Sequence, residues 1–171
     1  MNFDLTKITN PEAKRFFTVF TLYRKINREF FELVPEEQFD FRMVENENVK
    51  SDSVRESLAH MINLQRSYII RCKNEKGDWK RSSFYDQSLK TLSKSELLAE
   101  HDKAYQELYK FICSEDNCSL LVEVPWSKEP VTAIKYLWGM NDHEIFHNGW
   151  NVAVMDHLGI ERFESLKQMW G

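Results

Sequence analysis

The segment His143-Glu144-Ile145-Phe146-His147 sets two imidazoles one helical turn apart. Steps of three and four residues through it give Tyr136, Met140, His143, His147, Trp150, Val154 and Leu158, a stripe that is apolar apart from the two histidines. At the rise of an α-helix the two rings lie about 6 Å apart on one face, a spacing at which they can share one metal ion. A lone histidine on such a stripe is more often a core residue bonded to tyrosine or backbone. Two of them desolvated together carry a larger cost, and a shared ion removes it. Two ligands seldom hold an ion tightly, so a third must come from another helix. His157 stands about 15 Å further along the same helix and cannot reach. His60, beside Leu64 and Tyr68, and His101, beside Leu98 and Tyr105, both sit on inward stripes, and periodicity does not choose between them.

The same five residues match the H-E-x-x-H pattern of zinc proteases, in which the glutamate is the general base. Their surroundings do not match. The metzincin extension places a glycine where this chain has Trp150, a later acidic ligand would have to be Glu161 or Glu164, and no sheet precedes the motif to bind an extended peptide. A zinc protease is therefore the lesser reading. Glu144 is the one catalytic candidate, as a general base or a group that orients a ligand, with Asp142 beside it. Each lies about 100° around the helix from His143, so a solvated surface position fits both at least as well. Tyr68 and Trp150 fit either the wall of a pocket or the core. Arg66, Arg71, Lys80 and Arg81 fit an anionic substrate less well than they fit a solvated surface.

The elements that position these residues are helical. Asn10-Pro11 is a helix start, followed by Phe16, Phe20, Tyr23, Phe30 and Val34 at helical spacing, with Pro35 as the stop. A second helix opens at Ser51-Asp52-Ser53, where Ser53 and Glu56 have capping-box spacing, and runs to about Cys72. Lys73 to Lys94 is polar and reads as a long crossover. Helical spacing resumes from Ser95 to Cys113, Ser119 to Trp126 reads as one short extended piece, unable to form a sheet alone, and a long helix runs from after Pro130 to Leu158 before Gly159. A short helix over Glu161 to Met169 closes the chain. The expected fold is all-α: a four-helix bundle with a long crossover between helices 2 and 3 and a short C-terminal helix. The mouth of its site would be formed by Lys73 to Lys94 and Asn117 to Glu129.

The chain of 171 residues fits a single domain, residues 1–171, with a core large enough to need neither disulfides nor a structural metal. Its net charge of −4, with the charges interspersed, argues against a nucleic-acid surface. No apolar run approaches the length that crosses a membrane, and Met1 to Lys14 lacks the basic start and apolar run of a secretory signal, so a cytoplasmic protein is expected. With 3 cysteines, an all-cysteine zinc site is one short, and Cys72, Cys113 and Cys118 are expected as free thiols.

Nearly the whole chain resembles the DinB-like, YfiT-related helical metalloproteins. The resemblance rests on SDSVRESLAHMINLQ, with its serine-rich start and inward His60, and on HEIFHNGWNVAVMDHLGI, with H-x-x-x-H and a terminal Leu-Gly. Matched residue by residue, it implies a metal triad of His60, His143 and His147, setting His101 aside. Asn148 and Trp150 stand where the family often has Arg and Gln. The resemblance also implies a four-helix bundle, often a homodimer, and a family that includes transferases and isomerases using low-molecular-weight thiols. Three neutral imidazoles suit zinc or nickel and leave a coordination position open, at which a small thiol or water can be activated. The expected function is thus a metal-dependent thiol transferase or hydrolase acting on a small molecule. The competing class is a non-catalytic metal- or ligand-binding helical dimer in stress response.

Overall fold

The computed structural model describes residues 2–73 and 85–170. Three of the long helices begin where a side chain satisfies their first backbone N–H groups. In α1 (Pro11–Leu33) the Asn10 side chain accepts from the N–H groups of Glu12 and Ala13. In α2 (Val54–Cys72) both halves of the Ser53–Glu56 capping box form. Ser93 and Glu96 build the same reciprocal pair at the start of α3 (Lys94–Ile112). After the short α4 (Glu115–Ser119), α5 (Ala133–Leu158) stops at Gly159, whose φ of 68° is the left-handed conformation that glycine adopts without strain. The last helix, α6 (Glu164–Trp170), starts three residues later than the sequence suggests.

The way the helices share their hydrophobic clusters fixes the topology. One cluster joins the first half of α1 and of α5 to the last half of α2 and of α3, through Phe16, Phe17, Phe20, Ile69, Cys72, Leu108, Ile112 and Leu137. The other joins the opposite halves, through Phe30, Phe31, Leu58, Ile62, Leu97, Val154 and Met155. Hence α1 and α5 run one way and α2 and α3 the other. Parallel α2 and α3 are neighbours, so the chain between them must travel back along a helix of about 28 Å. That requirement explains the long connection from Cys72 to Lys94; its residues 74–84 lie outside the described residues. The helices pack in the cyclic order α1, α5, α2, α3.

Two readings are corrected here. The extended piece does find a partner: β1 (Leu121–Val122) pairs antiparallel with β2 (Val131–Thr132), a two-stranded hairpin leading into α5. Residues just before a predicted helix showed no alternation from which the second strand could be read. The helix α4 is also new; at five residues it is too short for a periodic signal and depends on Ser114, which caps Asn117 N–H. Between the two hydrophobic clusters lies a buried polar layer: Arg24 and Asn27 on α1, Ser57 and Gln65 on α2, His101 on α3, and Asn141, Glu144, His147, Asn148 and Asn151 on α5. No described helix is long and apolar enough to cross a membrane.

Candidate metal centre

The polar layer is where the three histidines meet. His60 comes from the middle of α2, and His143 and His147 from successive turns of α5, the helix that packs beside α2. Their ligand atoms all lie within 4.8 Å of one another. His60 Nε2 and His143 Nε2 are 3.0 Å apart, and the ring centroids of His60 and His147 are 5.4 Å apart. Two nitrogens held about 2.1 Å from one ion, at angles between square and tetrahedral, lie about 3.0–3.4 Å apart, so the pair fits a shared ion. His147 is buried, while His60 and His143 are half-buried and leave the cluster a side towards solvent. Ser57 Oγ stands 3.1 Å from His147 Nδ1, and the Tyr85 hydroxyl 3.2 Å from His60 Nδ1. Burial pushes the His147 imidazole down to about 3, with the neighbouring His60 and Arg24 adding to the shift. At neutral pH it is therefore the uncharged species that a metal requires.

The DinB family model matches residues 7–165. The chain belongs to the DinB family. Among solved structures, YfiT from Bacillus subtilis, described as a probable metal-dependent hydrolase with an unusual four-helix bundle topology, is similar with a TM-score of 0.63 at 14% identity, covering 87% of this chain and 89% of that one. The mycothiol-dependent maleylpyruvate isomerase is similar with a TM-score of 0.59 at 16% identity, covering 80% of this chain. This DinB-family chain spans 59% of the isomerase's length. A comparison with curated protein sequences finds no match.

In this DinB-family bundle the other candidates sit elsewhere. His101 is buried on α3 beside Phe31 and under Arg24, outside the three-histidine cluster. His157 stacks on Phe41. Asp142 is exposed, as expected, but Glu144 is not on the surface and does not face the cluster. Its Oε1 accepts from Arg24 Nη1 at 2.8 Å and its Oε2 from Asn27 Nδ2 at 2.5 Å, which commits both carboxylate oxygens to α1. Asn151 in turn donates to Asn27 Oδ1 at 2.7 Å. The reason is that α5 is covered on two sides, by α2 and by α1, so Glu144, about 100° from His143 in one sense, is turned towards α1 and away from water, while Asp142, about 100° in the other, meets solvent. A second row, Asn141, Glu144, Asn148, Asn151 and Met155, runs at helical spacing and was the available signal.

Tyr68 is half-buried and stacks on Tyr136 with ring centroids 4.6 Å apart. A Cβ at Gly139 would come within 2.9 Å of the Tyr68 hydroxyl, so the glycine lets that hydroxyl lie against α5 one turn before His143. Trp150 packs edge-on to Phe30. Arg66 is paired with Glu100 and Glu107 on α3, and Arg71 donates to the Tyr136 hydroxyl. Lys80 and Arg81 lie outside the described residues. All three cysteines are free; burial pushes the Cys72 thiol up to about 12 and the Cys118 thiol up to about 11.

Burial of His147 and His101 predicts an acid sensitivity. Both are held neutral, His101 because burial and the Arg24 and Arg28 charges lower it well below its ordinary value. An unfolded chain protonates the same rings as pH falls through about 6.5. The unfolded state then binds more protons, so the stability contributed by these rings is complete above that pH and is progressively lost as pH falls below it. Urea midpoints of metal-free protein are expected to fall steadily from pH 7 to 5; a flat profile over that range contradicts the burial of neutral imidazoles.

Proposed function

We propose that this DinB-family protein is an enzyme that holds a divalent ion, zinc or nickel, on His60, His143 and His147 and uses it to activate a small thiol or water against an electrophilic small molecule. The reaction class is thiol S-transfer or hydrolysis. The observation that carries this reading is the incomplete ligand set: three imidazoles converge on one point from two helices, whereas a structural zinc normally has four protein ligands. A divalent ion so held supplies Lewis acidity, its charge uncompensated by three neutral ligands.

The rest of the chemistry belongs to the protein's own side chains, and what they cannot do narrows it. The buried cysteines, with raised thiols, are poor nucleophiles, and the Glu144 carboxylate is taken up by Arg24 and Asn27. A nucleophile that enters with the substrates, a low-molecular-weight thiol or water, fits these surroundings better than a covalent intermediate on Cys72, Cys118 or Glu144. The imidazoles bind, the apolar clusters on either side of the polar layer exclude water, and Tyr68 and Tyr136 give the α2–α5 face a planar wall. The mycothiol-dependent isomerase and YfiT, described as a probable metal-dependent hydrolase, share this fold, which supports the use of a small thiol or of water without choosing between them. A homodimer is part of the reading, as the family resemblance implies.

Metal-loaded protein assayed with several low-molecular-weight thiols against a panel of electrophiles, and alone against activated esters and amides, tests it. Turnover that is removed by chelation and restored by zinc or nickel is the expected result. A metal-replete protein inactive across both panels overturns the enzyme reading.

A further inference from the structure

An imidazole can bind a metal through either ring nitrogen, and the bond made by the other nitrogen decides which. In His147 and His60 that other nitrogen is held. Ser57, one turn before His60 on α2, places its hydroxyl 3.1 Å from Nδ1 of His147 on α5, and is itself buried. Tyr85, on the connection between α2 and α3, places its hydroxyl 3.2 Å from Nδ1 of His60. Each contact crosses from one element to another, so each ring is steadied by a segment other than its own helix.

Resting on the metal reading above, we propose that Ser57 and Tyr85 are positioning residues of the three-histidine centre. Each hydroxyl oxygen accepts the Nδ1–H of its histidine, which leaves the Nε2 lone pair directed at the shared point. The alternative polarity, a hydroxyl donating to an Nδ1 lone pair, would put the ring hydrogen on Nε2 and aim it at the place where the ion belongs. His60 Nε2 already lies 3.0 Å from His143 Nε2, so the Nδ1–H tautomer of His60, with its lone pair on Nε2, is the one that matches a common ligand point. Tyr85 also gives the α2–α3 connection a direct hold on a ligand, so this segment contributes to how tightly the ion is kept. Ser57 lies within the serine-rich segment that leads to His60, but a serine three residues before a helical histidine, and a tyrosine some distance after it, carry no spacing signal that singles them out.

The test is zinc affinity, measured by competition with a chromogenic chelator, for wild type, Ser57→Ala, Tyr85→Phe and Ser57→Thr, with the thermal midpoint of each metal-free protein as the control for folding. Loss of an outer partner costs about 10- to 100-fold in affinity. That loss is expected in Ser57→Ala and in Tyr85→Phe at an unchanged metal-free midpoint, with Ser57→Thr, which keeps the oxygen, restored towards wild type. A variant that binds zinc less than about 10-fold more weakly than wild type overturns the role of that residue. Nitrogen-15 spectra of zinc-loaded wild type are independent of any variant's folding: protonated Nδ1 and bound Nε2 at His60 and His147 support the assignment, and Nδ1 coordination at either overturns it. A wild type that takes up no zinc overturns the metal reading and this inference together, whereas equal affinity in wild type and variants overturns the positioning alone.

Discussion

Protein carrying His147→Ala or His143→Ala is expected to lose zinc affinity by more than about 100-fold, beyond what the loss of an outer partner costs, while His101→Gln keeps its metal. The three histidines differ in kind although all lie on inward stripes. His143 and His147 share a cluster with His60, with all ligand atoms within 4.8 Å, and removal of one leaves a two-ligand site. His101 faces α1 beneath Arg24, whose Nη2 donates to the His101 carbonyl at 3.2 Å, and its loss perturbs packing without touching the cluster. Metal content per chain, measured on untagged protein purified without chelator, separates the cases. Near-stoichiometric zinc or nickel in wild type and His101→Gln, with little in the two cluster variants, is the expected pattern. Loss of metal in His101→Gln at an intact fold would move the site away from the three-histidine cluster. Because His147 is the buried member, its alanine variant also opens a cavity, so the thermal midpoint belongs beside each metal value.

How far the sequence leads can be followed along α5. The stripe Tyr136, Met140, His143, His147 and Val154 is legible because these residues recur at helical spacing and face α2, and His60 on α2 completes the cluster as the family resemblance implies. The capping pairs at Ser53 and Ser93 are equally local, and Ser53–Glu56 is visible in the letters alone. What periodicity misses is the other side of the same helix. One stripe suffices for a helix covered on one side, but α5 lies between α1 and α2, and in its second row Glu144 and Asn151 are bonded to Arg24 and Asn27, more than a hundred residues away in sequence. Polar residues look solvated until their partners are known. The hairpin escapes for a related reason: a two-residue strand has no period, and its existence rests on the pairing of Leu121 with Thr132.

The Arg24–Glu144 pair makes the second large prediction. Both side chains are almost wholly buried, at 2% and 4% exposure, and burial pushes the Arg24 guanidinium below its ordinary value while the Glu144 carboxylate draws it back. Removing one partner leaves the other charge buried and uncompensated, at a cost of about 3–5 kcal/mol. For a chain of this length that corresponds to a fall of about 6–20 °C in the thermal midpoint. Glu144→Gln and Arg24→Met are each expected to show it. The double variant Arg24→Met, Glu144→Leu removes both charges and fills similar volume, and is expected to recover most of the loss, since a well-packed apolar replacement of a buried pair is often neutral or better. Asn27 keeps one acceptor in that variant, the backbone carbonyl of residue 144 at 3.2 Å. Turnover, measured with zinc content below the lowered midpoint, distinguishes the two roles open to Glu144. As a clamp between α1 and α5, it can be replaced together with Arg24 while the metal stays and turnover survives; as a general base, its loss would leave the double variant stable, metal-replete and inactive. The first outcome is favoured because both carboxylate oxygens are bonded to Arg24 and Asn27 on α1 and Glu144 is not a member of the histidine cluster.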